Sequence, residues 1–495
     1  MADVGDDVLS TLRRGATASF ASNVLNTLAN AALIVLLARF LLTPTEYGLL
    51  NYALSVLAVL SILGTLGLPK SAARYANEYS KTDESQLPHV LAVGAKAVLV
   101  MVVLVGVALL LVHRPLAALL GHQEALIPFL LVGAAYVGFR AGVKFVVANF
   151  QGVNRVDWSA VTNAVNNVSR VVFASVFVLL GFGAFGAFLG YVVGFGVALL
   201  VGGGLLYWRV YRPVDPAPEM EEGLTRRLLE YAVPLTATRG ANVLDKKVDV
   251  VLVGSLASLT AVSYYTIAKQ LSDFISMPAT SFGFALSPIL GEQSATEDVA
   301  RAARLYEESL TYVLLVYVPA CLGLVLVASP TVVYVFGEKY APAVPVVQVF
   351  SGFILVNAVN KITSDALDYL GRARARATVK SAMAVSNAGL NVLLIPVFGA
   401  VGAAAATVVT YTVYTGTNVY VIHSELGLRV RQMARRLAVV CAIATGMGLV
   451  VVLALPIVSG LLTLFLVVGV GAAVWAVLGV GTGLLDVEQI RTMVR

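Results

Sequence analysis

The sequence predicts an all-α polytopic membrane protein with fourteen transmembrane helices, and three observations predict this fold class. Hydrophobic residues make up 59% of the chain and charged residues only 13%, about half the charged fraction that is usual in soluble proteins. Apolar runs of about 20 residues, the length needed to cross the hydrocarbon core of a bilayer, recur from end to end. The third observation is the placement of lysine and arginine, which also predicts the orientation.

Positive charge is concentrated on alternate connections between the predicted spans. Fourteen spans with a cytoplasmic N-terminus place 22 of the 34 lysines and arginines on cytoplasmic segments, and only Arg114 and Lys339 on outer connections. One missed span would invert every later connection, so this distribution favours both the count and two cytoplasmic termini. The opening segment MADVGDDVLSTLRRGA lacks an A-x-A cleavage site and is interpreted as mature cytoplasmic sequence.

An internal repeat predicts the domain organisation. The segment FGAFGA at 182–187 recurs 216 residues later as FGAVGA at 398–403. Each copy joins two predicted spans at the outer surface: the fifth to the sixth, then the eleventh to the twelfth. We expect Gly183 and Gly399 to adopt the left-handed conformation that ends a helix, and the small residues that follow to let the next helix pack closely. Because six spans separate the copies, the repeat is parallel, about an axis along the membrane normal.

A proline-rich, acidic segment separates the two copies and is typical of a linker. The predicted order is a cytoplasmic N-terminal segment 1–16, a six-helix lobe 17–208, a cytoplasmic linker 209–227, a second, pseudo-symmetric six-helix lobe 228–424, and a helix pair with a cytoplasmic C-terminus 425–495.

Four segments carry a resemblance to a known family. They are ARFLLTPTEYGLLNYALSVLAVLSILGTLGLPKSAARY at 38–75, VDVVLVGSLASLTAVSYYTIAKQL at 248–271, VFGEKYAPAVPVVQVF at 335–350 and NVLLIPVFGAVGAAAAT at 391–407. With these four segments in this order, the chain resembles the polysaccharide-flippase (Wzx-like) branch of the multidrug/oligosaccharidyl-lipid/polysaccharide exporter superfamily.

The resemblance implies an alternating-access carrier rather than an enzyme. It would move an anionic, polyprenyl-phosphate-linked oligosaccharide from the cytoplasmic to the outer leaflet of a prokaryotic plasma membrane, for surface polysaccharide or glycoprotein glycan assembly. The expected partners are this lipid-linked oligosaccharide, membrane lipids, and glycosyltransferases or a polymerase of the same pathway. The chain is expected to act as a monomer and without nucleic acid.

Polar side chains at helical spacing inside the spans predict a hydrated, basic lumen to which both lobes contribute. A charge at the bilayer centre costs about 2.5–3.5 kcal/mol, so these residues are expected to avoid lipid. Arginine can hold phosphate oxygens with two parallel hydrogen bonds, and lysine acts as a point charge. The predicted head-group contacts are Arg140, Lys144, Arg170 and Arg239, and the other predicted lumen residues are Lys246, Lys361, Asn26, Asn30, Asn167, Asn242 and Asn357.

Acidic residues inside the spans support two interpretations. Asp245, Asp249, Asp273 and Asp365 are candidates for coupling transport to protons, sodium or the membrane potential. Alternatively they neutralise nearby lysines, because Lys269–Asp273 and Lys361–Asp365 have i,i+4 spacing. No metal or cofactor is expected, since the four histidines and two cysteines have no ligand spacing.

Three other functions remain as alternatives. A multidrug exporter of the same superfamily should have an acidic lumen if it carries cationic drugs. A polytopic glycan-assembly enzyme should carry paired catalytic carboxylates on a large outer loop, and the outer loops here are short. The third is a scaffold in a glycan-assembly complex, and accumulation of lipid-linked oligosaccharide on the inner leaflet in a deletion strain would favour flipping over all three.

Overall fold

The computed structural model describes residues 27 and 29–295 and residues 299–485. All regular secondary structure in these ranges is helical. The contacts divide the chain into two compact units, residues 1–255 and 256–495, and each unit is described by itself. The predicted lumen residue Asn26 lies outside the described residues.

The described residues of the first unit form eight principal helices. They are α1 (Ala29–Leu41), α2 (Pro44–Thr65), α3 (Leu68–Thr82), α4 (Leu87–Leu119), α5 (Gln123–Gly152), α6 (Val156–Phe177), α7 (Gly183–Leu206, continued by a π-helical turn Tyr207–Tyr211) and α8 (Leu224–Leu256).

Helix α3 is an element that the hydropathy pattern does not predict as a separate helix. It is 15 residues long, too short to span a bilayer, and it carries three lysines and arginines. Its apolar face, with Leu68, Ala72 and Tyr75, is buried in a core shared with α4, α5 and the start of α8. The helix therefore fixes the ends of three longer helices.

The first glycine-rich repeat forms a tight turn between α6 and α7. Gly181 (φ 91°, ψ 8°) and Gly183 (φ 52°, ψ −137°) both have positive φ, as expected for a helix-ending turn. Gly183, however, does not have the predicted left-handed helical ψ; it lies in a region that is open almost only to glycine. Beyond the turn, a Cβ on Gly190 would lie 2.2 Å from the Ala174 amide nitrogen, so the small residue permits the close packing that the sequence predicted.

In the second unit the described residues form six helical segments. They are α9 (Leu259–Ala295), α10 (Val299–Phe336), α11 (Val344–Tyr369), α12 (Ala373–Leu426), α13 (Val430–Ala454) and α14 (Leu461–Gly481). Its described core includes a cluster of α10, α13 and α14 around Val327, Met447 and Leu464.

Helix α12 is a hairpin of two helices joined at the second glycine repeat. Gly399 has φ 56° and ψ −133°, nearly the same as Gly183. The Asn387 amide donates to the Thr410 hydroxyl at 3.2 Å although they are 23 residues apart, a separation of about 35 Å in a straight helix. The prediction that both repeats mark helical hairpins is confirmed, with the same correction to ψ.

Nine helical segments in the described ranges are long and apolar enough to cross a membrane. Two of them, Val156–Tyr211 and Arg374–Leu426, each contain one of the two glycine-turn hairpins. The chain is therefore a multi-pass, all-helical membrane protein, and the count of fourteen spans stays a prediction.

Helix α8 contacts the first unit at both of its ends. Near its start, the Ser71 hydroxyl donates to the Leu228 carbonyl at 2.6 Å. Near its end, the His122 ring nitrogen lies 2.7 Å from the Gly254 carbonyl oxygen. The contacts therefore place the unit boundary after α8, whereas the repeat places the lobe boundary before it.

Candidate functional site: a basic cavity in the first unit

The predicted contacts Arg140 and Lys144 have i,i+4 spacing with Tyr136 before them, so the three residues form one stripe on α5, and this stripe lies against α2. The Tyr136 ring is buried and packs on Phe188 at a centroid distance of 5.6 Å. The Arg140 guanidinium lies 5.7 Å from the centre of the Tyr136 ring, within the range of a cation–π interaction. Its Nη1 donates to the Ser61 hydroxyl of α2 at 3.2 Å. Two ordinary contacts thus position Arg140 and leave most of its N–H donors for another acceptor.

A cavity of about 310 Å³, counted with the open space at its mouth, lies beside this arginine. Lys144 from α5 and Arg239 from α8 both line it. Arg140 and Arg239 are close enough to Lys144 to repel its charge. The remaining lining residues are Ser61, Ile62, Thr65, Gly67, Thr236 and Val243. Two of the four predicted head-group contacts, Lys144 and Arg239, therefore line one space, and a third, Arg140, lies next to it through its hydrogen bond to Ser61.

The walls of the cavity are polar, but their hydroxyl groups are already engaged as donors. Thr65 donates to the Ser61 carbonyl at 3.1 Å, and Thr236 donates to the Ala232 carbonyl at 2.8 Å. Each hydroxyl oxygen still has lone pairs that can accept from a ligand hydroxyl. Sequence analysis missed these wall residues, although Ser61 and Thr65 have the i,i+4 spacing that could have found them.

The cations of the cavity have no acidic partner within the described ranges. None of Arg140, Lys144 and Arg239 forms a salt bridge there with an aspartate or glutamate. Three positive charges in a partly buried space raise one another's energy, and a bound anion would relieve that repulsion. The arrangement can therefore hold a phosphate or carboxylate.

Arg170 belongs to a second polar cluster in the same unit. Its Nη2 donates to the Asn30 side-chain oxygen of α1 at 3.0 Å and to that of Asn167 at 3.1 Å. Its guanidinium lies 5.0 Å from the Tyr191 ring centre, and Tyr191 interacts electrostatically with both Arg170 and Tyr136. The structure thus brings together three predicted site residues, Asn30, Asn167 and Arg170, next to the α5 stripe.

The other predicted residues of α8 and α9 lie at various depths. Asn242 and Lys246 are exposed on α8, Asp245 is partly buried, and Asp249 is 4% exposed. Asp273 is exposed on α9. Asp249 is the most buried of these residues, and a buried carboxylate is costly unless a hydrogen bond or an opposite charge compensates it.

The remaining predicted residues of the second unit lie on α11. Asn357 and Lys361 are partly buried there. The partly buried Asp365 carboxylate interacts with the cations Lys361 and Arg376 and with a second acid, Asp368, so both interpretations of this acid stay open. In the described part of the chain, no three His, Cys, Asp or Glu side chains gather into a metal-binding group.

An amide cluster that sequence analysis missed lies beside these residues. The Asn418 amide donates to the Asn360 side-chain oxygen at 3.2 Å, and the Ser364 hydroxyl donates to the same oxygen at 3.3 Å. Asn418 is 1% exposed. In the sequence, the only indication of this cluster was Asn360, which lies about one helical turn after the predicted residue Asn357.

Comparison with known families decides the classification. A family model described as polysaccharide biosynthesis protein matches residues 12–294. The chain belongs to this family. A second model, MatE, matches residues 243–397. Both matches agree with the resemblance to the polysaccharide-flippase branch of the exporter superfamily.

Individual relatives are distant. The chain is 26% identical over 183 residues to the probable low-salt glycan biosynthesis flippase Agl15 of Haloferax volcanii, a match that covers 37% of this chain and 38% of that protein. A solved structure of the lipid II flippase MurJ, inward closed, has a TM-score of 0.72 at 14% identity, covering 97% of this chain and 99% of the other. An inward-facing multidrug MATE transporter has a TM-score of 0.68 at 15% identity, covering 83% and 96%. At these identities the two structures show the fold alone.

Proposed function

We propose that this protein flips an anionic, polyprenyl-phosphate-linked oligosaccharide from the cytoplasmic to the outer leaflet by alternating access. The observation that carries the proposal is the cavity lined by Lys144 and Arg239, with Arg140 bonded to its wall at Ser61; none of these three cations has a salt-bridge partner in the described residues. The flippase name of the matched relative Agl15 supports the substrate class.

In the proposed mechanism the cavity holds the phosphate that joins the sugar to the lipid. Arg140 and Arg239 donate hydrogen bonds to its oxygens, and Lys144 adds positive charge. The threonine and serine hydroxyls of the wall accept from sugar hydroxyls. Arg170, with Asn30 and Asn167, is proposed to contact the sugar, because amide and guanidinium groups together offer donors and acceptors.

The remaining features of the proposal come from the sequence. They are fourteen spans with cytoplasmic termini in a prokaryotic plasma membrane, two six-helix lobes at 17–208 and 228–424, action as a monomer beside glycosyltransferases or a polymerase, and coupling to protons, sodium or the membrane potential through Asp245, Asp249, Asp273 or Asp365. Lys246, Lys361, Asn242 and Asn357 complete the proposed lumen, with Asn26.

The test replaces the three cavity cations by alanine, singly and together. Purified variants are reconstituted into vesicles that hold a fluorescent polyprenyl-diphosphate oligosaccharide, and flipping is followed by chemical quenching of the outer leaflet. Each lost charged hydrogen bond is worth about 1.5–3 kcal/mol, so Arg140→Ala or Arg239→Ala should slow flipping at low substrate concentration by at least about tenfold.

A matched control removes an arginine from the same helix. Arg226 lies on α8, its side chain is 82% exposed, and its ion pair with Glu230 lies in solvent, so Arg226→Ala should flip at the wild-type rate. Wild-type rates in the triple variant of Arg140, Lys144 and Arg239 would refute the assignment of the cavity. Loss of flipping in the control as well would show that the effect is not specific.

One alternative has an observation in its favour, the MatE match over residues 243–397. It predicts that the chain exports a small cationic compound and leaves the oligosaccharide where it is. The cluster of uncompensated cations argues against it, because the same charges would repel a cationic drug. Export of an organic cation by the wild type, without flipping, would establish it.

A further inference from the structure

The end of the first hairpin carries a group of aromatic and basic residues that the proposed function does not use. We call it the interfacial patch; it consists of Trp158, Tyr207, Trp208, Arg209, Tyr211 and Arg212. Helix α7 has 24 residues, which is about 36 Å of helix, longer than a hydrocarbon core of about 30 Å. The residues that follow it thus reach the headgroup region, on the side that the lysine and arginine distribution predicts to be cytoplasmic.

Aromatic rings hold the two arginines of the patch. The Arg209 guanidinium lies 5.5 Å from the Trp158 ring centre, and the Arg212 guanidinium lies 4.4 Å from the Trp208 ring centre. Both distances are those of cation–π interactions. A guanidinium that lies against a ring keeps its N–H donors directed outward in its own plane.

These outward donors have no protein acceptor within the described ranges. The guanidinium groups of Arg209 and Arg212 form no hydrogen bond or salt bridge there, and both residues are exposed. The nearby Arg155, by contrast, has Asp157 at 3.8 Å. The patch is therefore a pair of positioned cations without a counter-charge.

The backbone at this point is unusual and supports a built site. Tyr207–Tyr211 is a π-helical turn, a form that is rare and frequent at functional sites. It stacks the Tyr207 ring on the Tyr211 ring at 5.7 Å and an angle of 20°. Tyr207 and Trp208 are 50% and 58% exposed, as is typical of rings that lie at a membrane interface.

The second hairpin closes the corresponding end differently. The residue 216 positions after Arg209 is Glu425, whose carboxylate lies 2.6 Å from the Arg372 guanidinium. At the second hairpin the protein itself supplies an anion, the Glu425 carboxylate, whereas the first hairpin has Arg209 at the corresponding position. The difference indicates that the first hairpin leaves this place for an anion from outside.

We propose that the interfacial patch binds the phosphate of an anionic phospholipid of the leaflet in which α7 ends. Arg209 and Arg212 donate hydrogen bonds to the phosphate oxygens, and the tyrosine and tryptophan rings lie along the glycerol and upper acyl chain. A bilayer phospholipid is favoured as the occupant because the patch lies at headgroup depth, at the end of a spanning helix, where such phosphates are abundant. The proposal does not depend on what the protein transports.

The test uses the full chain, delipidated in a neutral detergent and titrated with short-chain phosphatidylglycerol or phosphatidylcholine. Two of the chain's three tryptophans lie in the patch, so intrinsic fluorescence reports binding. We expect phosphatidylglycerol alone to shift the emission. Each interfacial arginine contributes about fivefold to the preference for anionic lipid, so Arg209→Ala with Arg212→Ala should weaken binding about thirtyfold.

Two controls separate a built site from general attraction. Lysine at both positions keeps the charge but loses the planar stacking, so this variant should also bind much more weakly. Arg301→Ala with Arg304→Ala removes the same charge from two exposed positions on α10 and should bind like the wild type. Since all these side chains are exposed, the variants should melt like the wild type in detergent alone.

Three results would overturn the proposal. The first is equal binding of both lipids. The second is an equal loss of affinity in the Arg301 and Arg304 control, or wild-type affinity in the double lysine variant, since either would reduce the effect to net charge. The third is a shift with a polyprenyl diphosphate but not with phosphatidylglycerol, which would assign the patch to the lipid-linked substrate.

Discussion

Replacing Gly183 by alanine should destabilise the protein more than replacing Gly399, although the two glycines have the same backbone conformation. Their φ values are 52° and 56°, and their ψ values are −137° and −133°. An alanine in this region is strained by about 1–3 kcal/mol, and this cost should be common to both sites. The sites differ in what a new Cβ would meet. At Gly399 no heavy atom of the described chain lies within 4 Å, whereas at Gly183 the Glu46 Oε1 lies at 2.5 Å.

The carboxylate that would have to move caps helix α2. Glu46 Oε2 accepts from the Thr43 amide at 2.9 Å and from the Thr43 hydroxyl at 2.8 Å, and the Thr43 hydroxyl accepts from the Glu46 amide at 3.3 Å. This capping box is worth about 1 kcal/mol, within a range of roughly 0.5–2 kcal/mol. Gly183→Ala should therefore reduce the free energy of unfolding by about 1 kcal/mol more than Gly399→Ala.

The assay is a double-mutant cycle in one detergent, with unfolding followed by denaturant titration. In the Glu46→Ala background the cap is already lost, so the excess cost of Gly183→Ala should vanish and leave a coupling energy of about 1 kcal/mol. Gly416→Ala is the matched control: this glycine lies in α12 with nothing within 4 Å of a new Cβ, so alanine should be neutral or stabilise by up to about 1 kcal/mol. An excess cost that persists without Glu46 would refute the reasoning.

Three further predictions concern contacts at the helix ends. Arg429→Ala should cost about 3 kcal/mol and more than Glu307→Ala, because the Glu307 side chain is 2% exposed and loses two hydrogen bonds from the Arg429 side chain, whereas the Arg429 side chain is 52% exposed; equal costs in denaturant titrations would contradict this. The hydroxyl of Tyr79 donates to Glu221 and, with a neighbouring arginine, holds the pKa of Glu221 below its ordinary value. The stability that the ionised Glu221 contributes is present above an unfolded pKa of about 4.3 and is lost as pH falls through the lower folded pKa. Amide exchange in the linker should therefore rise in that pH range, and it should not depend on pH in this way in Glu221→Gln. Finally, Tyr52→Phe removes hydroxyl bonds of 3.0 Å and 2.7 Å to the ends of α4 and α8 and should speed amide exchange at the end of α8 while leaving its start unchanged.

The features that could be predicted from the sequence are those set by the surrounding bilayer and by local backbone conformation. Charge content and apolar runs predicted a multi-pass helical protein because a bilayer permits few other structures. The repeated glycines predicted two hairpin turns, since a positive φ at Gly183 and Gly399 requires this residue. The i,i+4 stripe of Tyr136 and Arg140 was also predictable, because helical periodicity fixes which side chains share a face.

Other features depend on which helices meet, and no local pattern records that. Ser61 lines the basic cavity only because α2 packs beside α5. Helix α3 reads as a charged connection, since its apolar face is only a few residues of a short segment.

Helix α8 shows why a repeat in sequence and a unit in space need not coincide. The repeat records which helices correspond, and by it α8 opens the second lobe. The contacts show which helices stabilise one another, and hydrogen bonds at both ends of α8 join it to the first unit. The preceding linker is held there too, since the Ala217 amide donates to the Ser85 carbonyl at 2.9 Å and the His89 ring lies 2.9 Å from the Ala217 carbonyl oxygen. Arg239 therefore reaches the cavity as part of the first unit, and the proposed phosphate site is complete without a residue from the second.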